Sequence, residues 1–210
     1  MRMLKLVVLL VPAVCAACAA YQPDEESIRK EGEDAVAHAY PGMPASLTAR
    51  ASQDTFQKIC SKTDDEKLSS DEATTIVDAA RASIRYPQSG KLLGDWKAGA
   101  KLVLNGAGMR VRNGRVEKVR ENGALCTNCH VMDPNEVNSG NLGPSLAGYG
   151  RTHGTSEAAV KQTYEKIYNA WLYFPCSKMP RLGSSGYLTP DQITHVVAYL
   201  IDLQSPVNRQ

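Results

Sequence analysis

The sequence lacks the signals of nucleotide-driven and nucleic-acid-binding proteins. It contains no P-loop, no GxGxxG and no HExxH, and 24 Lys+Arg against 22 Asp+Glu leave a net charge of only +2. Two Trp and two Phe provide little aromatic surface on which bases could stack. Beyond the N-terminus, no apolar run reaches the length of a membrane span. We therefore expect neither nucleic acid as a partner nor a transmembrane helix.

The sequence does contain the composition of a soluble domain and an excess of cysteine. Its 210 residues suffice for one domain of average size with an extension, and 43% hydrophobic residues are ordinary for a globular protein. There are six cysteines. Their positions carry most of the functional information.

The N-terminal segment has the layout of a secretory signal peptide. Arg2 and Lys5 precede an apolar stretch over residues 6–14, and Ala17-Cys18-Ala19 matches an A-x-A cleavage site, so that residues 1–20 would be removed. Alternatively, Cys15-Ala16-Ala17-Cys18 resembles a lipobox, which would leave Cys18 acylated. Both interpretations predict export to the periplasm. Four cysteines then remain in the body of the chain: Cys60, Cys126, Cys129 and Cys176.

A pentapeptide in the middle of the chain indicates covalent haem. Residues 126–130 read Cys-Thr-Asn-Cys-His. Two thiols on one turn can add to the two vinyl groups of a haem, and the adjacent histidine then faces the iron. A zinc site would need a second pair of ligands, and a thioredoxin-like pair would lie in a βαβ pattern; the sequence has neither. It predicts one haem c on Cys126 and Cys129, with His130 as an axial ligand.

A glycine-rich segment after this motif makes the sequence resemble the class I cytochromes c. It reads Gly143-Pro144-Ser145-Leu146-Ala147-Gly148 and matches the family's G-P-x-L-x-G loop on the histidine side of the haem. The resemblance implies that the Pro144 carbonyl accepts the His130 Nδ1–H, so that Nε2 faces the iron. It also implies that Leu146 packs on the haem face and that Arg151 reaches a propionate.

Methionine is the expected sixth ligand of the iron. Of the methionines beyond the predicted signal peptide, Met43 and Met109 precede the motif, and Met132 is too close to His130 to reach the opposite face. Met179 follows in a Met-Pro pair that resembles the family's distal-ligand signature. The alternatives are His153 and His195. Methionine raises the reduction potential and closes the iron to oxygen or peroxide, which favours electron transfer over oxygen chemistry.

The helical patterns predict an all-α protein. A helical N-terminal extension over residues 21–90 would precede a class I cytochrome c domain over residues 91–210. Predicted helices fall within residues 52–61, 70–84, 94–104, 155–170 and 188–203. The class I resemblance implies that Gly99 meets Tyr199 where the first and last helices of the domain cross.

A basic insert over residues 109–121 predicts a small β-hairpin. Asn113-Gly114 is a preferred two-residue turn, and Val111 and Val116 flank it. Basic residues outnumber acidic ones in this insert. It is either an exposed hairpin without a special role or a docking edge for an acidic partner.

Several further segments resemble SoxX, the monohaem subunit of the periplasmic SoxAX cytochrome of sulfur oxidation. They include Ile84-Arg85-Tyr86-Pro87, Gly140-Asn141-Leu142-Gly143-Pro144 and Cys176-Ser177-Lys178-Met179-Pro180-Arg181. The resemblance implies a heterodimer with a SoxA-type cytochrome, which couples thiosulfate oxidatively to a cysteine of a SoxYZ-type carrier. This chain would accept the two electrons one at a time and pass them to a small soluble cytochrome c.

The same resemblance implies that this chain is a subunit of an enzyme but does not itself carry out the catalytic step. It would be the electron-transfer subunit of an L-cysteine S-thiosulfotransferase, because the sequence offers no catalytic nucleophile of its own. A free-standing periplasmic electron shuttle is the alternative hypothesis. A haem peroxidase would need a second haem or an open iron site, and the sequence indicates neither.

Cys60 and Cys176 are the two thiols left after export and haem attachment. Such a pair in the oxidising periplasm is normally a disulfide, which would brace the Met179 loop against the extension. A free Cys176 beside the haem and an intermolecular bridge are the alternatives.

The apolar run over residues 171–174 beside Met179 is a candidate contact surface for the partner subunit. An exposed patch of this size would otherwise be a liability. Burial of all four side chains would exclude this role.

Overall fold

The computed structural model describes residues 24–39, 52–61, 67–112 and 115–209, which belong to two compact units, Met1–Ser52 and Gln53–Gln210. The predicted signal peptide with Cys18 and the Asn113-Gly114 turn lie outside the described residues. Within those residues, no helix is both long and apolar enough to cross a bilayer.

The described part of the first unit is a single helix, α1 (Glu25–Ala39). Glu25 and Glu26 lie in its first turn and His38 in its last, which suits the helix dipole. None of its residues is buried.

The second unit confirms the predicted helical architecture with a small hairpin. Its numbered elements are α2 (Thr55–Cys60), α3 (Ser70–Ser83), α4 (Trp96–Leu104), β1 (Met109–Arg112), β2 (Arg115–Lys118), α5 (Tyr149–His153), α6 (Glu157–Tyr168) and α7 (Pro190–Ile201). Short 3₁₀ turns cover Cys126–Asn128, Ala170–Leu172 and Pro206–Asn208. β1 and β2 pair antiparallel, with Arg110 opposite Glu117 and Arg112 opposite Arg115.

Local sequence determines where several helices begin. α2, α3 and α7 each start in a capping box, in which the N-cap side chain and the side chain three residues later bond each other's main-chain N–H. The pairs are Asp54 with Gln57, Ser69 with Glu72, and Thr189 with Gln192. Pro190 follows Thr189 at the first helical position, as predicted.

The main core forms where α4 crosses α7. An ideal Cβ on Gly99 would lie 2.0 Å from the His195 carbonyl oxygen and 2.9 Å from the Tyr199 Cβ, so only glycine permits this approach. The predicted contact between Gly99 and Tyr199 is therefore present. His195 accepts a hydrogen bond at Nδ1 from the main-chain N–H of Asp95, at 2.9 Å. This bond gives His195 a structural role at the start of α4.

A second, smaller core lies beside the main one. Ile76 and Ala80 of α3 and Trp171 are buried together, and Phe56 and Ile59 of α2 pack against them. Because α2 and α3 find their apolar partner at Trp171, residues 53–90 belong to the same unit as the rest of the fold. The predicted boundary at residue 90 between a helical extension and the cytochrome c domain stays a prediction.

Candidate haem-binding site

The thiol motif directly follows a segment, residues 119–125, whose main-chain N–H groups donate to carbonyl oxygens of residues 102–108. The N–H groups of Gly123, Ala124 and Leu125 donate to carbonyl oxygens of Gly106, Leu102 and Asn105 at 2.9, 2.7 and 2.8 Å. An ideal Cβ on Gly123 would lie 2.2 Å from the Asn105 oxygen. Leu125 then takes a left-handed conformation with φ of 42° and turns the chain into the 3₁₀ turn. The position of Cys126 is thereby set by backbone contacts.

The two motif cysteines are free thiols and half-buried. Cys126 packs against the main core, and burial raises its pKa to about 11, with a smaller effect of Cys129 in the same direction. The main-chain N–H groups of Cys129 and His130 both donate to the Cys126 carbonyl, which holds the motif in one tight turn. Both thiols are therefore available for thioether bonds to a haem.

His130 is oriented by one hydrogen bond and one close contact. Its Nδ1 lies 2.7 Å from the Pro144 carbonyl oxygen. A carbonyl only accepts, so Nδ1 carries the proton and Nε2 keeps a free lone pair. An ideal Cβ on Gly143 would lie 2.3 Å from His130 Cε1, so the imidazole fills the space that a side chain there would occupy. This arrangement presents Nε2 as a metal ligand.

Main-chain hydrogen bonds connect the loop that carries Pro144 to the thiol motif along its length. Gly140, Gly143 and Leu146 donate main-chain hydrogen bonds to carbonyl oxygens of Thr127, Cys129 and Val131, at 2.8 to 2.9 Å. Leu146 is partly buried against the main core. The loop and the motif form one backbone-bonded unit.

Arg151 has a partner that the family resemblance did not suggest. Its Nη1 donates to the Asn208 main-chain oxygen in the C-terminal 3₁₀ turn. The contact between Arg151 and a haem propionate stays a prediction. In that contact, the guanidinium would bind the propionate and the Asn208 oxygen together.

Met179 lies on a loop between the two cores. Its side chain is partly buried against the main core, which also receives Cys126 and Leu146. Its main-chain N–H donates to Ser177 Oγ at 3.2 Å, and the indole Nε1 of Trp171 donates to the Ser177 carbonyl at 2.9 Å. The loop is therefore anchored from the side of the second core.

The structure contains a disulfide between Cys60 and Cys176, as expected from the pairing of the remaining thiols. The two Cα atoms are 5.3 Å apart, within the normal range. Cys176 has φ of 60°, in the left-handed region. The bond connects the end of α2 to the Met179 loop.

The aromatic run beside Met179 is not one exposed patch. Trp171 is buried in the second core, and Leu172 packs against it. The Tyr173 hydroxyl donates to Glu165, and only Phe174, which is 60% exposed, lies at the surface. The four side chains therefore do not form one exposed surface, but burial of all four, which would exclude a contact role, is not observed. The partner contact at this run stays a prediction.

Sequence reasoning missed two groups of polar contacts around this loop, one centred on Arg181 and one on Glu165. Arg181 Nη2 lies 2.6 Å from Asp54 Oδ2, and its guanidinium stacks 4.2 Å above the Trp171 ring. Glu165 accepts hydrogen bonds from the hydroxyls of Tyr86 and Tyr173, both at 2.5 Å. No sequence pattern marks such pairs: Arg181 and Asp54 are 127 residues apart, and Tyr86 and Glu165 are 79 apart.

The residues at this site fit a haem. Two unbonded thiols on one turn provide the attachment points, and a histidine with a free Nε2 stands next to them. The imidazole of His130 fits against Gly143 only because residue 143 has no side chain. In the described residues, no group of three or more His, Cys, Asp or Glu is placed to hold a metal ion.

Comparison with known proteins agrees with this geometry. Residues 118–204 match the family model of cytochrome c, a range that includes the thiol motif, the Gly143-Pro144 loop and Met179. The chain is also similar to an uncharacterized lipoprotein of Aquifex aeolicus (strain VF5). The two are 38% identical over 161 residues, which is 77% of this chain and 75% of that protein.

Proposed function

Because the chain belongs to the cytochrome c family and carries one covalently attached haem c, we propose that it is an electron-transfer protein with Cys126 and Cys129 as thioether residues. His130 and Met179 are the proposed axial ligands. The observation that carries this proposal is the hydrogen bond between His130 Nδ1 and the Pro144 carbonyl, which presents Nε2 beside two free thiols.

The chain's own residues would hold the haem and protect it. When bound, the haem supplies reversible one-electron chemistry at iron. Pro144 fixes the His130 tautomer, and Leu146 and Met179 extend the apolar main core towards the site. With both axial positions filled by side chains, oxygen and peroxide would have no open coordination site.

Absorption spectroscopy of variants tests the ligand assignment. In the ferric state, we expect the weak band near the red end of the visible spectrum that accompanies methionine ligation. Met179→Ala should abolish this band and leave the haem covalently attached by mass spectrometry. Met132→Ala is the matched control and should keep the band. Loss of the band in Met132→Ala alone would overturn the assignment.

We further propose that the protein is the electron-accepting subunit of a SoxAX-type complex. The support is the set of SoxX-like segments, including residues 84–87, 140–146 and 176–181. Joining thiosulfate to a carrier cysteine forms an S–S bond and releases two electrons and the thiol proton. A SoxA-type partner would perform this step on a SoxYZ-type carrier, and this chain would pass the electrons singly to a small soluble cytochrome c.

Co-purification from native periplasm separates this role from that of a free-standing shuttle. A stable heterodimer with a second haem protein, identified by mass spectrometry, is the expected result. A monomer that exchanges electrons with many donors would favour the shuttle and exclude the subunit role.

We also propose that the protein is exported and acts in the periplasm. The Aquifex relative is described as a lipoprotein, and this supports acylation of Cys18 over removal of residues 1–20. The mass of the mature N-terminal peptide decides between the two. A diacylglyceryl adduct on Cys18 is expected for the anchor, and an unmodified N-terminus beyond residue 18 would exclude it.

A further inference from the structure

The short helix α2 is attached at both ends to the segment that carries Met179. Its last residue, Cys60, forms the disulfide with Cys176, three positions before Met179. Its N-cap residue, Asp54, pairs with Arg181, two positions after Met179, at 2.6 Å. The two attachments therefore bracket the methionine.

The ion pair at the start of α2 differs from an ordinary surface pair. The Arg181 side chain is 21% exposed, because its guanidinium lies on the buried Trp171 ring. Asp54 is held in place as well, since its carboxylate accepts the Gln57 main-chain N–H at 2.7 Å. Partial burial alone would raise the pKa of Asp54, but the bonds from Gln57 and Arg181 lower it. Each partner of the ion pair is thus also held by a contact outside the pair.

We infer that α2 acts as a two-point clamp for the distal ligand, with Asp54 and Arg181 as positioning residues alongside the disulfide. This inference rests on the proposed ligation by Met179. A methionine side chain has three rotatable bonds and a neutral sulfur, so its position depends on how firmly its backbone is held. With either attachment removed, α2 would hold residues 177–180 from one end only, and the segment would gain conformational freedom.

Displacement of Met179 by an added ligand measures how firmly the clamp holds. The probe is cyanide binding to the ferric full-length holoprotein, because cyanide can occupy the sixth position only when the methionine leaves. Arg181→Gln and Asp54→Asn should each lower the cyanide Kd about fivefold, the effect of a partly buried ion pair. Asparagine is chosen because it preserves the N-cap of α2.

The double variant completes the cycle. If the pair acts as one unit, Asp54→Asn with Arg181→Gln should lower the cyanide Kd no further than either single change. Cys60→Ala with Cys176→Ala should lower it more than the ion-pair variants. The matched control is Arg81→Gln, which breaks the Arg81–Asp78 pair at 2.7 Å on α3 with side chains 63% and 64% exposed. Its cyanide Kd should equal that of the wild type.

The outcomes separate this inference from the proposed function. If Met179→Ala abolishes the red-end band while the clamp variants bind cyanide like the wild type, the ligand stands and the clamp is overturned. If Met179→Ala leaves the band unchanged, the ligand assignment itself fails.

A second test uses the wild-type protein and therefore does not depend on whether a variant folds. The disulfide of the folded holoprotein is reduced with a phosphine, which is verified by mass, and carbon monoxide binding to the ferrous form is then timed. Faster binding than in the disulfide-bonded form supports the clamp. An unchanged rate of carbon monoxide binding after complete reduction of the disulfide would overturn the clamp. Fast carbon monoxide binding while the disulfide is still intact would overturn it as well.

Discussion

The two loops that carry the proposed axial ligands are held in different ways. The His130 side is held by the backbone: main-chain hydrogen bonds join residues 127–131 to 140–146, and Gly143 lets the imidazole approach. The Met179 side is held by side chains: a disulfide, an ion pair and the stacking of Arg181 on Trp171.

This difference concerns distance along the chain as well as chemistry. Pro144 lies 14 residues from His130, whereas Arg181 lies 127 residues from Asp54 and Cys176 lies 116 from Cys60. Local contacts form cheaply, because they close short loops. The contact that orients His130 is therefore local in sequence, whereas the methionine side depends on the N-terminal part of the chain.

Removing the disulfide should cause the largest loss of stability. Cys60→Ala with Cys176→Ala opens a loop of 116 residues, which in the chain-entropy model lowers the free energy of unfolding by about 4–5 kcal/mol. Urea unfolding of the holoprotein measures the change. A loss below about 1 kcal/mol would mean that the methionine side does not depend on this bond.

A methyl group at Gly143 should damage the histidine side almost as much. Gly143→Ala places a Cβ 2.3 Å from His130 Cε1, so the ring or the loop must move, at a cost of about 3 kcal/mol. Gly106→Ala is the control, since its Cβ would meet only Leu125 Cδ2 at 3.7 Å. The control should change the free energy of unfolding by less than about 1 kcal/mol. Equal losses in both variants would contradict the role of Gly143.

Alkaline pH should loosen the methionine side through Tyr86 and Tyr173. Burial, with the Glu165 carboxylate adding to it, raises the pKa of Tyr86 from 10.0 to about 12 and raises that of Tyr173 in the same direction. A raised pKa means that the stability from these groups is intact below pH 10 and is lost as the pH rises through about 12.

Unfolding measured over this range checks the direction. Tyr86→Phe with Tyr173→Phe should reduce the fall in the free energy of unfolding above pH 10. Tyr149→Phe, which removes a hydroxyl that contacts Thr163 and no carboxylate, should keep the wild-type slope. The idea fails if both variants behave alike.

The smallest effect is expected at the hairpin that leads into the histidine side. Arg110 pairs with Glu117 at 2.9 Å, whereas Arg112 lies directly opposite Arg115. Like charges on opposite strands repel, so Arg115→Gln should slow hydrogen exchange of the strand amides. Arg110→Gln should speed the hydrogen exchange of these amides. Each effect corresponds to about 0.3 kcal/mol in the free energy of opening. The same direction in both variants would show that cross-strand charge is unimportant here.

Contacts within the histidine side could be predicted because they lie in short motifs. The thiol pentapeptide and the Gly143-Pro144 loop specified the bond from His130 to the Pro144 carbonyl, and the structure contains it. Thr189 and Pro190 likewise marked the start of α7. In each case, the interacting residues are close in sequence or belong to a known pattern.

Contacts across the chain were harder to predict. The disulfide followed from counting the remaining thiols, but nothing distinguishes Asp54 and Arg181 from other charged residues. The sequence did not show which side chains of residues 171–174 face inward, and the structure places Trp171 inside and Phe174 outside. The packing of α3 against Trp171 was not predictable from the sequence either, because the two segments are far apart in the chain.

The C-terminal 3₁₀ turn joins α5 to the end of α7 through the side chain of Asn208. Asn208 accepts the Gly150 N–H at Oδ1, and its Nδ2 donates to the Leu200 and Asp202 carbonyls, each at 2.9 Å. A chain is delivered N-terminus first during synthesis, so residues 126–130 are available long before Asn208. The bonds that Asn208 makes to residues 150, 200 and 202 can therefore form only after the haem attachment residues have been synthesised.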